Sequence, residues 1–377
     1  MSSAFTNTLF TQTSAYAAEE FGVGAGGQGL GAAVVRWGVL LCIPIAALAD
    51  RRGRRPMIVA TAWAAPLVCS LGALAPDFRT LVATQAVGRP IGLALDILVA
   101  VLAVEEMPRN SRAWATGVLA VMGGIGAGVA VAALPLADLG LSGWRWVYVV
   151  SLVWLPFAAV ITRRLPESDR FPTTVTDRSP LTPGLRRHLT GICSVAFLTN
   201  VYIATASIFQ NRYLKDVRGY SALMVAAFTT ATSVPAGIGL VLGGRVADVR
   251  GRRLIATTMV PLGTVFLALS FTFRGVPMWS TAIAGGVALG FAFPASAVYR
   301  GELFATGVRT TAGGLIMASA LIGGSIGLVV AGRLIDVGLS YGSVMSMFTA
   351  CPFAAAAIVW LRFPETAHME LEEISPD

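Results

Sequence analysis

The chain has 377 residues and a formal net charge of +8, with 55% hydrophobic and only 13% charged residues. Soluble domains carry about 25% charged residues, so too little polar surface is available to cover a water-soluble globule of this size. Together with a mean hydropathy of +0.72, the composition excludes a soluble multidomain protein and indicates an integral membrane protein. The basic residues occur in short bursts between apolar runs, which is typical of cytoplasmic loops and not of a nucleic-acid-binding stripe.

Twelve segments are predicted as membrane spans. A helix needs about 20 mainly apolar residues to cross a bilayer, and eleven segments meet this; the one that precedes them is short and polar. Because lipid cannot satisfy free backbone groups and the runs are too long for barrel strands, all of them are predicted as helices. Numbered 1 to 12 in chain order, the spans are 3–18, 27–49, 56–75, 80–104, 112–137, 145–162, 188–213, 221–246, 254–273, 277–299, 311–334 and 342–361.

The distribution of Arg and Lys predicts the orientation. If the loop after span 2 is cytoplasmic, that side holds 18 basic residues and the opposite side holds seven. Cytoplasmic loops are the ones enriched in Lys and Arg, so we expect a multi-pass protein of the plasma (inner) membrane with both termini in the cytoplasm. The proline-rich segment 163–187 is predicted as a cytoplasmic linker.

An internal repeat of about 198 residues divides the chain into halves. Asp50-Arg51-Arg52-Gly53-Arg54-Arg55 after span 2 matches Asp248-Val249-Arg250-Gly251-Arg252-Arg253 after span 8, 198 residues later. Glu105 to Arg112 matches Glu302 to Arg309 at an interval of 197, and Pro166-Glu167-Ser168 matches Pro364-Glu365-Thr366 at 198. Three signatures in one order indicate a duplicated six-helix unit.

The predicted fold is therefore an all-α membrane protein of two six-helix halves. The boundaries are 1–162 for the first half, 163–187 for the linker, 188–362 for the second half and 363–377 for a cytoplasmic tail. Fewer residues precede Asp50 than separate span 7 from Asp248, so the repeat predicts that helix 1 is truncated by roughly ten residues, through a late start or a shortened form.

These motifs resemble those of the major facilitator superfamily. The loops after spans 2 and 8 resemble its signature loop, and the Glu-x-x-Pro-x-x-x-Arg and Pro-Glu-Ser/Thr motifs resemble its sugar-porter and metabolite–proton symporter branches. Span 7 lacks the paired glutamines of sugar porters, and span 5 lacks the Gly-Pro signature of drug–proton antiporters. The resemblance implies a fold of two rocking halves with a solute site between them.

The resemblance also implies that the repeated loops form cytoplasmic gates. By this resemblance, the aspartate of each loop (Asp50 and Asp248) faces the N-terminus of a helix in the other half, where the helix dipole favours an anion. Topological anchoring and loop stabilisation are the alternatives for these clusters. The predicted gating residues are Asp50, Arg51, Gly53, Arg54, Arg55, Gly244, Asp248, Gly251, Arg252, Arg253, Glu105, Arg112, Glu302 and Arg309.

Polar residues inside the spans are the candidates for a solute and proton pathway. Charged residues in spans are rare and commonly functional, although a structural ion pair is the alternative for Arg36, Arg89 and Asp96. Arg89 and Asp96 lie seven residues apart on one helix face, and Gly88-Arg89-x-x-Gly92 resembles the family's span-4 arginine motif. Polar residues of spans 1 and 7 complete the prediction, with coincidence as the alternative: Gln12, Gln210, Asn200 and Tyr202.

The leading hypothesis is a secondary active transporter of a small organic solute, with proton-coupled symport of an organic anion or sugar-like metabolite. Drug or metabolite efflux by proton antiport is the alternative, and a membrane protein without transport is a remote one. No GxxxxGK[ST] loop or catalytic constellation is present in the sequence, so direct ATP drive and an enzyme are not expected. We expect a monomer in the bilayer that uses no cofactor or metal and binds no nucleic acid.

Overall fold

The computed structural model describes residues 1–42, 44, 45, 48, 49, 53–106, 112–165, 183–302, 306–363 and 365. Within these ranges it leaves out the side chains of 54, 101, 103–106, 112–117, 120, 183–186, 248, 297–302 and 306–311. All regular elements of the described residues are helices. They are α1 (Ser2–Glu20), α2 (Ala25–Gly38), α3 (Arg54–Ser70), α4 (Phe78–Glu106), α5 (Arg112–Ala132), α6 (Trp144–Val149), α7 (Leu155–Arg164), α8 (Pro183–Arg212), α9 (Ala222–Arg250), α10 (Arg252–Ser270), α11 (Gly275–Glu302), α12 (Thr306–Asp336), α13 (Tyr341–Phe348) and α14 (Ala350–Arg362).

Ten stretches of the described residues are helical, long and apolar enough to cross a membrane, and they correspond to predicted spans 3 to 12. The chain is thus a multi-pass membrane protein. The helix α1 covers predicted span 1 but is too polar for this criterion. Predicted span 2 begins with α2, which ends at Gly38 and is followed by a 3₁₀ turn at Val39–Leu41. Residues 43, 46 and 47 of this span lie outside the described residues.

The chain divides into two compact units. The first unit comprises Met1–Thr174 with Leu214–Ala226, and the second comprises Val175–Tyr213 with Ala227–Asp377. Most of segment 163–187 lies outside the described residues, so the boundaries at 162 and 188 stay a prediction.

Small residues let the helices of the first unit pack closely. A Cβ atom at Gly38 of α2 would lie 2.2 Å from the Ala86 carbonyl oxygen of α4, and one at Gly126 of α5 would lie 2.1 Å from the Met1 carbonyl oxygen. The start of α4 is fixed by Asp77, whose Oδ1 accepts the Thr80 backbone N–H at 2.6 Å. That hydrogen bond lowers the pKa of the Asp77 carboxyl, because it stabilises the charged form.

The second unit uses the same device between α8 and α12. Cβ atoms at Gly323 and Gly327 would lie 2.2 and 2.4 Å from the carbonyl oxygens of Phe197 and Val201. Two glycines four residues apart on one face permit such an approach in membrane helices, where helices associate largely through packing.

Candidate solute pathway, gates and cavity

Two charged residues in the middle of α4 are hydrogen-bonded to α1. Arg89 donates from Nε to Asn7 Oδ1 at 3.3 Å, and Asp96 accepts from Ser3 Oγ at 2.9 Å. Seven residues of helix separate Arg89 from Asp96 by about 10 Å along the axis, and they form no ion pair with each other. We call these four residues the α1–α4 polar seam.

Glycines on either side of Arg89 bring its neighbours close. A Cβ atom at Gly92 would lie 2.3 Å from Thr6 Oγ1 of α1, and one at Gly88 would lie 2.7 Å from Cys69 Sγ of α3. The Gly88-Arg89-x-x-Gly92 motif therefore allows α1 and α3 to pack against α4 around the arginine.

Positive charge is concentrated around Arg89, at one end of the polar seam. Among the described residues no carboxylate lies within ion-pair distance of Arg89, and its partner Asn7 Oδ1 is neutral. Arg36 lies in the last turn of α2 and is close enough to Arg89 for their guanidinium groups to repel each other. Because a guanidinium group stays protonated in proteins, this part of the first unit can attract an anion.

The other predicted pathway residues lie on α1 and α8. Gln12 is 7% exposed within the first unit, and Gln210 is half-buried on α8. Tyr202 is fully buried and donates its hydroxyl to the Thr264 carbonyl oxygen of α10 at 2.8 Å. That contact gives Tyr202 a helix-packing role in this structure. Asn200 lies at a cavity described next.

A cavity of about 640 Å³ lies within the second unit. Its walls come from α8, α9, α10, α11, α14 and Phe363, and none of the lining residues is charged. The polar lining side chains are Thr199, Asn200 and Ser296. The sequence did not reveal this cavity, because its Ala and Gly lining is also typical of close helix packing.

The repeated loops share one backbone conformation. Gly53 and Gly251 immediately precede α3 and α10 with φ of 98° and 100° and ψ of 150° and 134°. Residues other than glycine rarely adopt this combination of φ and ψ. Because the two glycines are 198 residues apart, the conformation follows the repeat.

The basic residues after each glycine bond back to the last span of their own half. Arg55 donates from Nε to the Leu165 carbonyl oxygen at 2.7 Å. Arg253 donates from Nη2 to the Trp360 carbonyl oxygen, and its guanidinium carbon lies 4.4 Å from the Trp360 ring centroid. Arg55 thus connects α3 to the end of α7, and Arg253 connects α10 to α14.

Glu365 caps α10. Its two carboxylate oxygens accept the backbone N–H groups of Arg252 at 2.8 Å and Arg253 at 3.0 Å. A carboxylate is favoured here because a helix N-terminus has free N–H groups and partial positive charge. From the sequence, the Pro-Glu-Thr motif was interpreted only as a feature shared with the family. The structure shows that its glutamate binds the N-terminus of α10.

Several predicted gating residues cannot be placed. Asp50 and Arg51 lie outside the described residues, and the side chains of six others are not described: Arg54, Glu105, Arg112, Asp248, Glu302 and Arg309. Gly244 lies on α9, where a Cβ atom would be 3.8 Å from Pro294 Cβ. The gate assignment stays a prediction.

A charged cluster at the opposite end of α1 was missed in the sequence. Arg145 pairs with Glu20 at 2.9 Å and donates to the Ala73 and Ala75 carbonyl oxygens at 2.9 and 2.8 Å. Its guanidinium carbon lies 4.7 Å from the ring centroid of Trp144, whose indole N–H donates to Glu20. The Trp144-Arg145-Trp146 sequence was the available signal, but Arg145 looked like an ordinary loop arginine.

A second ion pair lies beside this cluster. Lys215, the chain's single lysine, belongs to a π-helical turn at Tyr213–Val217 and pairs with Glu19. The Asp138 carboxylate accepts the N–H groups of Ala222 at 2.7 Å and Leu223 at 3.0 Å, and so caps α9. These contacts tie segment Leu214–Ala226 to the first unit.

Internal repeats of membrane-spanning helices are typical of secondary transporters. Residues 1–229, more than half of the chain, match the Major Facilitator Superfamily. The chain belongs to that superfamily. Family and fold support secondary transport of a solute and indicate a transporter, not an enzyme.

Solved structures share the fold at low sequence identity. A bacterial homologue of the human lysosomal transporter Spinster, in an inward-facing and unoccupied conformation, has a TM-score of 0.75 at 16% identity, covering 96% of this chain and 94% of that one. The xylose transporter XylE from E. coli, in an inward-open conformation, has a TM-score of 0.76 at 14% identity, covering 99% and 97%. The nucleoside transporter NupG has a TM-score of 0.75 at 14% identity, covering 96% and 98%.

A candidate transporter of Caenorhabditis elegans is 29% identical over 151 residues, which are 39% of this chain. The match spans about a quarter (25%) of that relative's length.

Proposed function

We propose that this protein is a secondary transporter that moves a small organic anion across the plasma membrane by alternating access and couples it to protons by symport. The observation that carries the proposal is Arg89, a cation within a membrane span whose described contact is the neutral Asn7 amide oxygen. Uncompensated charge in a membrane is costly, so a solute carboxylate or similar anion is its natural partner. Arg36 adds to the attraction.

Asp96 is the residue we assign to proton coupling. It is exposed and accepts a hydrogen bond from Ser3, so a proton can reach it without first breaking an ion pair with Arg89. Ionised Asp96 weakens the positive field that attracts the solute along α4. Protonation removes that opposing charge, and solute and proton then bind together.

Uptake into proteoliposomes tests both roles. The purified protein is supplied with organic acids, neutral sugars and organic cations, with and without a pH gradient. Arg89→Ala should reduce anion uptake at least about thirtyfold, since removing one partner of a buried charged contact costs about 2–5 kcal/mol. Arg274→Ala removes the same charge from a loop between α10 and α11 and should transport normally.

Asp96→Asn separates coupling from binding. We expect solute exchange without a gradient to remain and accumulation driven by a pH gradient to disappear. Transport of a neutral sugar or a cation, with Arg89→Ala still active, would contradict the anion assignment. Proton flux opposite to the solute would replace symport by antiport.

A further inference from the structure

We propose that the cavity of the second unit is a separate binding site for an uncharged, largely apolar small molecule that carries one hydrogen-bonding group. Its volume of about 640 Å³ falls within the range of about 300–1,000 Å³ that is usual for small-molecule sites. The proposal goes beyond the anion transport assigned to Arg89, because a different unit and a different chemistry carry it.

The lining selects against charge. Among the described residues, no Asp, Glu, Lys, Arg or His lines the cavity, and an ion that entered would lose its hydration without a counter-charge. All five contributing helices overlap candidate membrane spans. A molecule that dissolves in the bilayer matches this lining, and an organic anion does not.

Three polar side chains line the cavity, and one of them has a hydroxyl group that is free to bond a ligand. Ser296 Oγ donates to the Ala292 carbonyl oxygen at 2.9 Å, and Asn200 Nδ2 donates to the Ala196 carbonyl oxygen at 3.1 Å, both within their own helices. The half-buried Thr199 hydroxyl makes no hydrogen bond in the described part of the chain. It is the group available to a ligand.

The repeat shows that the apolar lining replaces the charges of the first unit. The loops that follow α4 and α11 are offset by 197 residues, so Arg89 corresponds to Gly286 and Asp96 to Phe293. Gly286 and Phe293 both line the cavity, and Phe293 is 62% exposed. Duplicated helices thus present charge in one unit and an apolar surface in the other.

One glycine allows the cavity to be filled without disturbing its walls. Gly237 lines the cavity on α9, and a Cβ atom there would meet no atom within 4 Å. A larger side chain therefore projects into the open space. Gly128 on α5 has equally free space but belongs to the first unit, and it provides a matched control.

Native mass spectrometry of the full-length protein tests the site with two probes that share an aromatic skeleton. N-phenyl-1-naphthylamine is neutral and has one N–H donor, whereas 8-anilinonaphthalene-1-sulfonate carries a negative charge. We expect one saturable adduct with the neutral probe and at least tenfold weaker binding of the sulfonate. Gly237→Leu should weaken neutral-probe binding at least tenfold, while Gly128→Leu should leave it unchanged.

Two further variants complete the test. Thr199→Val should weaken neutral-probe binding about two- to tenfold, the equivalent of one hydrogen bond. Arg89→Ala should leave probe binding intact, so failure of this site and failure of anion transport are distinguishable. The site is refuted if Gly237→Leu and Gly237→Trp, each monodisperse on size exclusion, bind the probe like the native protein, or if the sulfonate binds equally well.

Discussion

The two units keep the same loops but differ in the polarity of their interiors. Gly53 and Gly251 have nearly identical backbone angles 198 residues apart. In contrast, the first unit places Arg89 and Asp96 in α4, where the repeat places Gly286 and Phe293 in α11. The duplicated framework has thus been preserved at its turns and has diverged within its spans.

This difference separates structural residues from functional ones. A positive-φ glycine before a helix is required by backbone geometry in both units, so its repetition indicates a shared structural need. Charge inside a span is expensive, so the presence of Arg89 and Asp96 in α4, at positions where α11 has Gly286 and Phe293, indicates a task that α11 does not perform. We therefore assign solute charge recognition to the first unit.

The largest expected effect tests this polarity difference at the end of α1. Arg145→Ala removes an ion pair to Glu20 and two bonds to carbonyl oxygens. The repeat counterpart, Ser343, has a side-chain hydrogen bond with Ser340 and no ion pair among the described residues. Breaking a buried pair costs about 3–5 kcal/mol, and because both side chains of the pair keep some exposure we expect about 2–3 kcal/mol.

Thermal unfolding of the purified variants measures this effect, with Ser343→Ala as the matched control. Ser343→Ala should change stability by less than about 0.5 kcal/mol. Equal losses for the two variants would show that the charged cluster contributes nothing beyond its neutral counterpart.

The next effect concerns the gates, where the halves should behave alike. Asp50→Asn and Asp248→Asn should each remove a charge-assisted contact worth about 1.5–3 kcal/mol. This would shift the population toward inward-facing forms about tenfold or more, with little loss of expression. Accessibility labelling of engineered cysteines in the cytoplasmic vestibule reports the shift.

Asp77→Asn serves as the control for the gates, because Asp77 caps α4 outside the repeated loops and an asparagine can also cap a helix. Unchanged labelling in both gate variants would remove the gating role from these aspartates. A shift in only one of them would show that the duplicated loops have diverged in function.

Much of the fold could be predicted because its signals are local. Hydropathy over about 20 residues predicts a span, and spans 3 to 12 were confirmed by helices of sufficient length and apolarity. The repeat predicted equivalent loops around Gly53 and Gly251. Span 2 stays a prediction, because its residues 43, 46 and 47 lie outside the described part of the chain.

The candidate site was harder to predict because its contacts are distant in sequence. Arg89 and Asp96 share a helix face, which suggested an interaction between them, but 93 residues separate Asp96 from its partner Ser3. Glu365 caps a helix that begins 113 residues earlier. Side-chain partners of this kind depend on helix packing, which periodicity does not report.

A smaller effect compares the repeated glycines. Gly53→Ala and Gly251→Ala should each cost about 1–3 kcal/mol through backbone strain. Gly251→Ala should cost about 1 kcal/mol more, because its Cβ atom would lie 2.6 Å from Glu365 Oε2 and displace the cap of α10. Thermal unfolding of both variants gives the difference, which should disappear when Gly251→Ala is made in a Glu365→Ala background and compared with Glu365→Ala alone.

Equal losses for the two glycine variants would show that the added Cβ atom does not displace Glu365 from the start of α10. The double variant distinguishes the two causes of the stability loss in Gly251→Ala, which are backbone strain and displacement of Glu365. A cost that persists without Glu365 belongs to the backbone, whereas a cost that disappears belongs to the displaced carboxylate.

The smallest expected effect decides the role of Tyr202. Its hydroxyl donates to the Thr264 carbonyl oxygen at 2.8 Å, so Tyr202→Phe should lower the free energy of unfolding by about 1 kcal/mol. The half-saturating solute concentration should not change, because the hydroxyl serves helix packing. Tyr148→Phe, which removes a contact of 2.8 Å with Thr13 in the first unit, should show a similar loss of stability. If Tyr202→Phe instead changed the half-saturating solute concentration and left stability unchanged, the Tyr202 hydroxyl would contact the solute. Polar recognition of the solute would then include the second unit.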